Sequence, residues 1–173
     1  SSASLNSWTE AFPKIEFHEE SKLAARLAAA SSANSIQHEF DYSTYEFCLR
    51  DHPLLMKMQQ NEAGHFDSCK NVLDLGCGAG IFLQLLSERG IKAKGVERDP
   101  KIAEYGRGMG LDITTDDALE FLAKQKASFD GIYCSHFVEH LPVELVQRLL
   151  KLMAEALEPG GVLLLAFPDP ESI

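Results

Sequence analysis

The sequence predicts an α/β fold, a doubly wound and mostly parallel sheet preceded by a helical extension. Three observations predict it. From Lys70 onward, short apolar runs alternate with helix-forming segments, five of the former and four of the latter. The last of these runs, Val162–Phe167, is almost wholly aliphatic, as strands buried on both faces tend to be. A glycine-rich turn, Gly76-Cys77-Gly78-Ala79-Gly80, joins the first apolar run directly to the first helix of the alternating region. Right-handed crossovers then follow from the twist of the strands.

Taken in order, residues 1–68 read as helical and irregular, and form an N-terminal extension or cap. Glu19–Ala30 is rich in helix formers and stops at Ser31-Ser32-Ala33-Asn34-Ser35. A second helical stretch covers Thr44–Gln60, interrupted at Asp51-His52-Pro53, because the residue before a proline is pushed out of the helical region. Gly64–Ser68 reads as a linker. The core, residues 69–173, opens with a strand at Asn71–Leu75, a helix at Gly80–Arg89, a strand at Lys92–Glu97 and a helix at Pro100–Gly106. It continues with a short strand at Leu111–Thr115, a helix at Ala118–Lys126 and a strand at Phe129–Ser135. A helix at Pro142–Leu157 and a strand at Gly161–Phe167 close it. Asp99-Pro100 carries an N-cap followed by proline at the first helical position. Glu158-Pro159-Gly160-Gly161 ends the last helix.

Composition narrows the class. With 45% hydrophobic and 24% charged residues the chain reads as globular and soluble, not disordered. Val162–Phe167 is the longest apolar run, too short for a membrane span, and no signal peptide is expected. The opening Ser1-Ser2-Ala3-Ser4 lacks a methionine, as a trimmed start would. Cys48, Cys69, Cys77 and Cys134 form no C-x-x-C pair, so free thiols and a cytoplasmic location are expected. A net charge of −10 with no visible basic patch argues against a nucleic-acid partner.

The chemistry concentrates in Val72-Leu73-Asp74-Leu75-Gly76-Cys77-Gly78-Ala79-Gly80. A G-x-G alone is weak evidence, since a tight strand-to-helix turn accounts for it too. Dinucleotide binders use G-x-G-x-x-G to seat a pyrophosphate on a helix N-terminus. Here the third glycine, Gly80, comes one residue early and Ile81 takes the dinucleotide position. Asp74, at the strand end, is awkward beside a pyrophosphate and comfortable beside a cationic ammonium or sulfonium. Glu97 follows the turn at about the distance from which an acid receives ribose hydroxyls. Asp117, followed by Ala118, is a candidate for the adenine amino group, with a plain helix N-cap as the alternative.

These segments, together with Gly95–Pro100, Phe129–Leu141 and Leu157–Gly161, resemble the successive motifs of class I, Rossmann-like S-adenosylmethionine-dependent methyltransferases. The likeness covers about residues 70–168 and is strongest to the group with ubiquinone-biosynthesis and sugar-modifying enzymes. It implies a methyltransferase using S-adenosylmethionine, released as S-adenosylhomocysteine, with a small-molecule acceptor methylated on oxygen or nitrogen, a saccharide type included. It assigns Asp74, Gly76 and Gly78 to the methionine part and Glu97 to the ribose, with Cys77 and Gly80 of the same turn also counted as cofactor-binding. Arg98 and Asp117 with Ala118 would flank the adenine, and Ser135 with His136 would lie near the methionine end and acceptor. A SAM-binding module without catalysis and a nicotinamide-dependent oxidoreductase are the competing readings.

His136-Phe137-Val138-Glu139-His140 matches an inverted zinc-protease signature, but it follows a strand and Leu141-Pro142 closes it, so no metal site is expected. His136 is the candidate general base, because it stands at the end of the fourth strand. Glu139 and His140 read as loop-shaping residues, and His38, Tyr42 and Tyr45 as packing residues or a cover over the cofactor. Relatives of this type continue with two further strands, whereas this sequence stops at Ile173 after the fifth. The expectation is either a fragment or a fifth-strand edge covered by another copy in a homo-oligomer.

Overall fold

The computed structural model describes Glu46 and residues 52–167. The expectations for Glu19–Ala30, Ser31–Ser35, His38, Tyr42, Tyr45 and Cys48 lie outside the described residues. The elements are α1 (His52–Ala63), a 3-10 turn (Gly64–Phe66), β1 (Asn71–Leu75), α2 (Ile81–Glu88), β2 (Lys92–Glu97) and α3 (Pro100–Gly108). After them come β3 (Ile113–Thr115), α4 (Ala118–Leu122), β4 (Phe129–Ser135), a 3-10 turn (Val138–His140), α5 (Val143–Ala156) and β5 (Leu157–Ala166).

The five strands form one sheet in the order β3-β2-β1-β4-β5, every pair parallel. This is the doubly wound α/β architecture expected from the sequence. Alternation along the strands assigns the two faces. Leu73 and Leu75 of β1 and Ile132 and Cys134 of β4 pack with Leu119 and Leu122 of α4 and Leu149 and Met153 of α5. Val72 and Tyr133 turn the other way, onto Phe82, Leu85 and Leu86 of α2. Tyr133 stacks on Phe82 with ring centroids 3.7 Å apart and planes 22° from parallel, and Phe66 meets both rings edge-on.

Several boundaries differ from expectation, each for a local reason. His52 and Pro53 are both helical in α1, which runs on to Ala63, so the chain is not interrupted at His52-Pro53; residues 47–51 of the expected Thr44–Gln60 stretch lie outside the described residues. Gly64–Ser68 is not a plain linker: it holds a 3-10 turn whose Phe66 is fully buried against the sheet. Gly131 makes room for that ring, since a Cβ there would stand 2.7 Å from Phe66 Cδ1. Helix α4 ends at Leu122, and Ala127, at φ +42°, hands its N–H to Glu155 across the next loop. Strand β5 begins at Leu157, with a register shift opposite Phe129 and Gly131 absorbing the expected turn. Among the described strands β5 is an edge, with Leu163 exposed on it.

Candidate cofactor-binding site

Chain order in the sheet reverses between β1 and β4, because β2 and β3 lie to one side of β1 while β4 and β5 lie to the other. A crevice opens beyond the strand ends at such a point, the usual ligand site in open α/β sheets. The glycine turn sits there. Gly76, Gly78 and Gly80 all have positive φ, at 72°, 53° and 90°, a conformation unfavourable for residues with a Cβ. The N–H groups of Gly76 and Cys77 both donate to Val96 O, at 2.9 and 3.1 Å, which ties the turn to the end of β2. Space around the turn is equally restrictive. A Cβ on Gly95 would lie 2.5 Å from Cys77 Sγ, and one on Gly80 2.5 Å from Leu111 Cδ1.

Acidic side chains surround this turn. Glu97, 7% exposed, accepts from Gly78 N–H at 3.1 Å through Oε2 and from Asp99 N–H at 2.8 Å through Oε1. Burial pushes its carboxyl above the ordinary range, the two backbone hydrogen bonds pull it back, and nearby Glu46 and Asp99 push it up. Asp74, 2% exposed, pairs in register with Gly95 on one side and Tyr133 on the other. Glu46, 1% exposed, accepts from Ala79 N–H at 3.3 Å. Burial drives the Cys77 thiol far above its usual range, reinforced by Asp74, Glu97 and then Glu46, so it is not a thiolate nucleophile.

The end of β4 supplies the opposite wall. Tyr133 donates its O–H to Glu62 of α1, and Gln59 Nε2 donates to the phenol oxygen at 3.4 Å. Burial raises the Glu62 carboxyl, against the Tyr133 hydrogen bond and the His136 and His65 rings, which lower it. His136 follows β4 with φ +50°, and its N–H donates to Ala166 O at 2.8 Å, fixing the loop to β5. Its exposed ring holds Nδ1 3.4 Å from Glu139 Oε1. Phe137 turns back over the glycine turn, where a Cβ on Gly76 would come 3.1 Å from its ring.

Of the residues proposed from sequence, Asp74, Gly76, Cys77 and Ser135 line one cleft, shared with Glu46, Leu55, Gln59, Ile81 and Tyr133. Gly78 and Glu97 join that turn through their hydrogen bond, and Gly80 ends it at the start of α2. Arg98 is exposed beside them. Asp117 caps α4, its Oδ1 accepting from Leu119 N–H at 2.9 Å and Glu120 N–H at 3.2 Å, and Ala118 is buried behind it. His136 stands outside the cleft lining, on the adjoining loop. Sequence reasoning did not single out Glu46, Gln59, Glu62 or Tyr133. A glutamate or glutamine in a helical stretch reads as a solvated face; the docking of α1 shows otherwise for Gln59 and Glu62, and the bond to the glycine turn for Glu46.

The chain matches the family model described as "Methyltransferase domain" over residues 21–172. It is 39% identical over 101 residues to a ubiquinone biosynthesis O-methyltransferase of Idiomarina loihiensis, covering 53% of this chain and 40% of that protein. To the protein of the same name from Coxiella burnetii it is 31% identical over 100 residues, covering 54% and 42%. The chain thus spans about two fifths of the length of the curated relatives it matches. The crystal structure of a SAM-dependent methyltransferase from Archaeoglobus fulgidus superposes with a TM-score of 0.69 at 29% identity, over 76% of this chain and 60% of that one. The family model spans most of the chain, and the five-stranded parallel sheet reverses beside the glycine turn that Glu97 braces: the chain belongs to the methyltransferase domain family, in its class I, Rossmann-like architecture.

Proposed function

We propose that this chain binds S-adenosylmethionine at the glycine turn and transfers its methyl group to an oxygen of a small-molecule acceptor. The observation that carries the reading is the trio of buried carboxylates, Glu46, Asp74 and Glu97, around a turn whose cleft lining holds no basic side chain among the described residues. Such a lining repels a pyrophosphate and suits a ligand with an ammonium and a sulfonium. The glycine turn fits as well, because it brings backbone close to a guest without side chains between. Asp74, Gly76, Cys77, Gly78 and Ser135 would hold the amino-acid end, Glu97 the ribose, and Arg98, Asp117 and Ala118 the adenine. Oxygen as the acceptor atom is taken from the O-methyltransferase names of the curated relatives.

S-adenosylmethionine supplies a methyl carbon already activated by its sulfonium. The residues of the chain supply position and a proton acceptor. His136 takes the hydroxyl proton at Nε2, with Glu139 beside Nδ1 orienting the ring. Calorimetric titration with S-adenosylmethionine, S-adenosylhomocysteine and NADH tests the binding. Saturable binding of the first two and none of the third is expected; NADH binding with neither nucleoside would overturn the reading. A binding module without catalysis would give the same titration but no labelled product with hydroxylated acceptors and methyl-labelled S-adenosylmethionine.

A further inference from the structure

Gln59 lies on α1, well outside every motif of the glycine turn, and is 7% exposed. Its amide orientation is fixed by its neighbours. Tyr133 commits its proton to Glu62, so the phenol oxygen has only lone pairs to offer, and Gln59 turns its Nε2 toward it. The other end of the amide, Oε1, is buried and has no hydrogen-bond partner among the described residues. A buried acceptor left unpaired is costly, and native proteins rarely keep one without a use. Gln59 lines the same cleft as Asp74, Glu46, Tyr133 and Ser135, around a cavity of about 20 Å³, room for one group the size of a water or an ammonium.

The cavity therefore offers one more acceptor next to two carboxylates. That combination selects a small donor carrying positive charge and rejects a carboxylate or phosphate. We propose that Gln59 Oε1 accepts a hydrogen bond from the primary ammonium of the amino-acid end of S-adenosylmethionine. Helix α1 thereby sets the preference for nucleosides bearing that group. The inference rests on the nucleoside reading of the site given above. It adds a positioning residue that the glycine motifs do not contain. The hydrogen-bonded chain Gln59–Tyr133–Glu62 holds the amide in place from behind.

The test is calorimetry on the wild type, Gln59→Met and Gln59→Glu, each titrated with S-adenosylhomocysteine and with its analogue lacking the α-amino group. Gln59→Met should lose about tenfold to a hundredfold in affinity for S-adenosylhomocysteine, the range for one hydrogen bond to a charged donor, and little for the deaminated analogue. Gln59→Glu, which keeps an acceptor oxygen, should retain the preference for the aminated ligand. Because the readout is a ratio of two affinities within one preparation, it does not depend on folding yield. An equal loss on both ligands, or no loss on either, overturns the role of Gln59 while leaving the nucleoside site standing. A wild-type chain that binds neither ligand overturns the nucleoside reading, and the inference falls with it.

Discussion

Glu97 and His136 show how single residues carry both the fold and the site. Each carboxylate oxygen of Glu97 receives a backbone N–H, from Gly78 and Asp99, so the acid holds the glycine turn and the β2 exit in one geometry before any ligand arrives. His136 is held differently. Its φ of 50° puts a residue with a Cβ in left-handed space, at a cost of about 1–2 kcal/mol. The fold retains this because the N–H bond to Ala166 and the Glu139 contact fix the loop. His136→Gly should therefore leave stability within about 1 kcal/mol of wild type, since relief of strain offsets the freer unfolded chain. Methyl transfer should fall by about 10²–10⁴-fold if the ring is the base, with S-adenosylhomocysteine affinity within about twofold. Denaturant unfolding, turnover and calorimetry together decide; unchanged turnover removes His136 from the chemistry.

At the scale of elements, two helices begin on aspartates that the sequence marks. Asp99 Oδ1 accepts from Lys101 and Ile102 N–H at 2.8 and 3.3 Å, as the Asp-Pro pair predicts. Asp117 does the same for α4, which leaves its proposed adenine contact to be separated from capping. Asp117→Ala should cost about 1 kcal/mol in urea unfolding, and Asp117→Ser should recover most of that through its hydroxyl cap. An adenine contact would weaken S-adenosylhomocysteine binding in both variants; full affinity in Asp117→Ser would make Asp117 a cap alone. Strands β1, β2 and β4 begin and end where the sequence predicts, because Gly76, Asp99 and the loop after Ser135 punctuate them sharply. Phe66 and β5 were less legible. Nothing local says that a phenylalanine in a Gly-His-Phe segment fills the hollow over Gly131, or that Leu157–Gly161 pairs across a register shift.

Across the whole molecule, two acids, Glu97 buried and Glu62 partly so, should make stability depend on pH. The Glu62 and Glu97 carboxyls are both raised above the ordinary 4.5, chiefly by burial. The folded state therefore binds more protons than the unfolded chain at pH values above that ordinary value. Stability contributed by these two groups is full below it and declines as pH rises through their raised range. Thermal melting across mildly acidic to neutral pH should show this decline. Glu62→Gln, which keeps a partner for Tyr133, should flatten it; an unchanged slope would show that Glu62 does not titrate in that window. Far above, Tyr133 stays protonated, because burial and the neighbouring Glu62 hold its phenol well above the usual range. The hydrogen-bonded chain across α1 and β4 is thus intact under ordinary conditions.

The order of elements, the parallel sheet, the glycine turn and the acid that braces it were determined by sequence alone. Each follows from a period, a spacing or a backbone requirement carried by neighbouring residues. Tertiary structure alone decided that Gln59 and Glu62 of α1 turn to Tyr133, and that Glu46 is buried against the glycine turn in the cleft that Asp74 lines. Burial depends on which surfaces meet, and the surface that meets α1 is built by strands distant in the chain, so no local pattern could announce it.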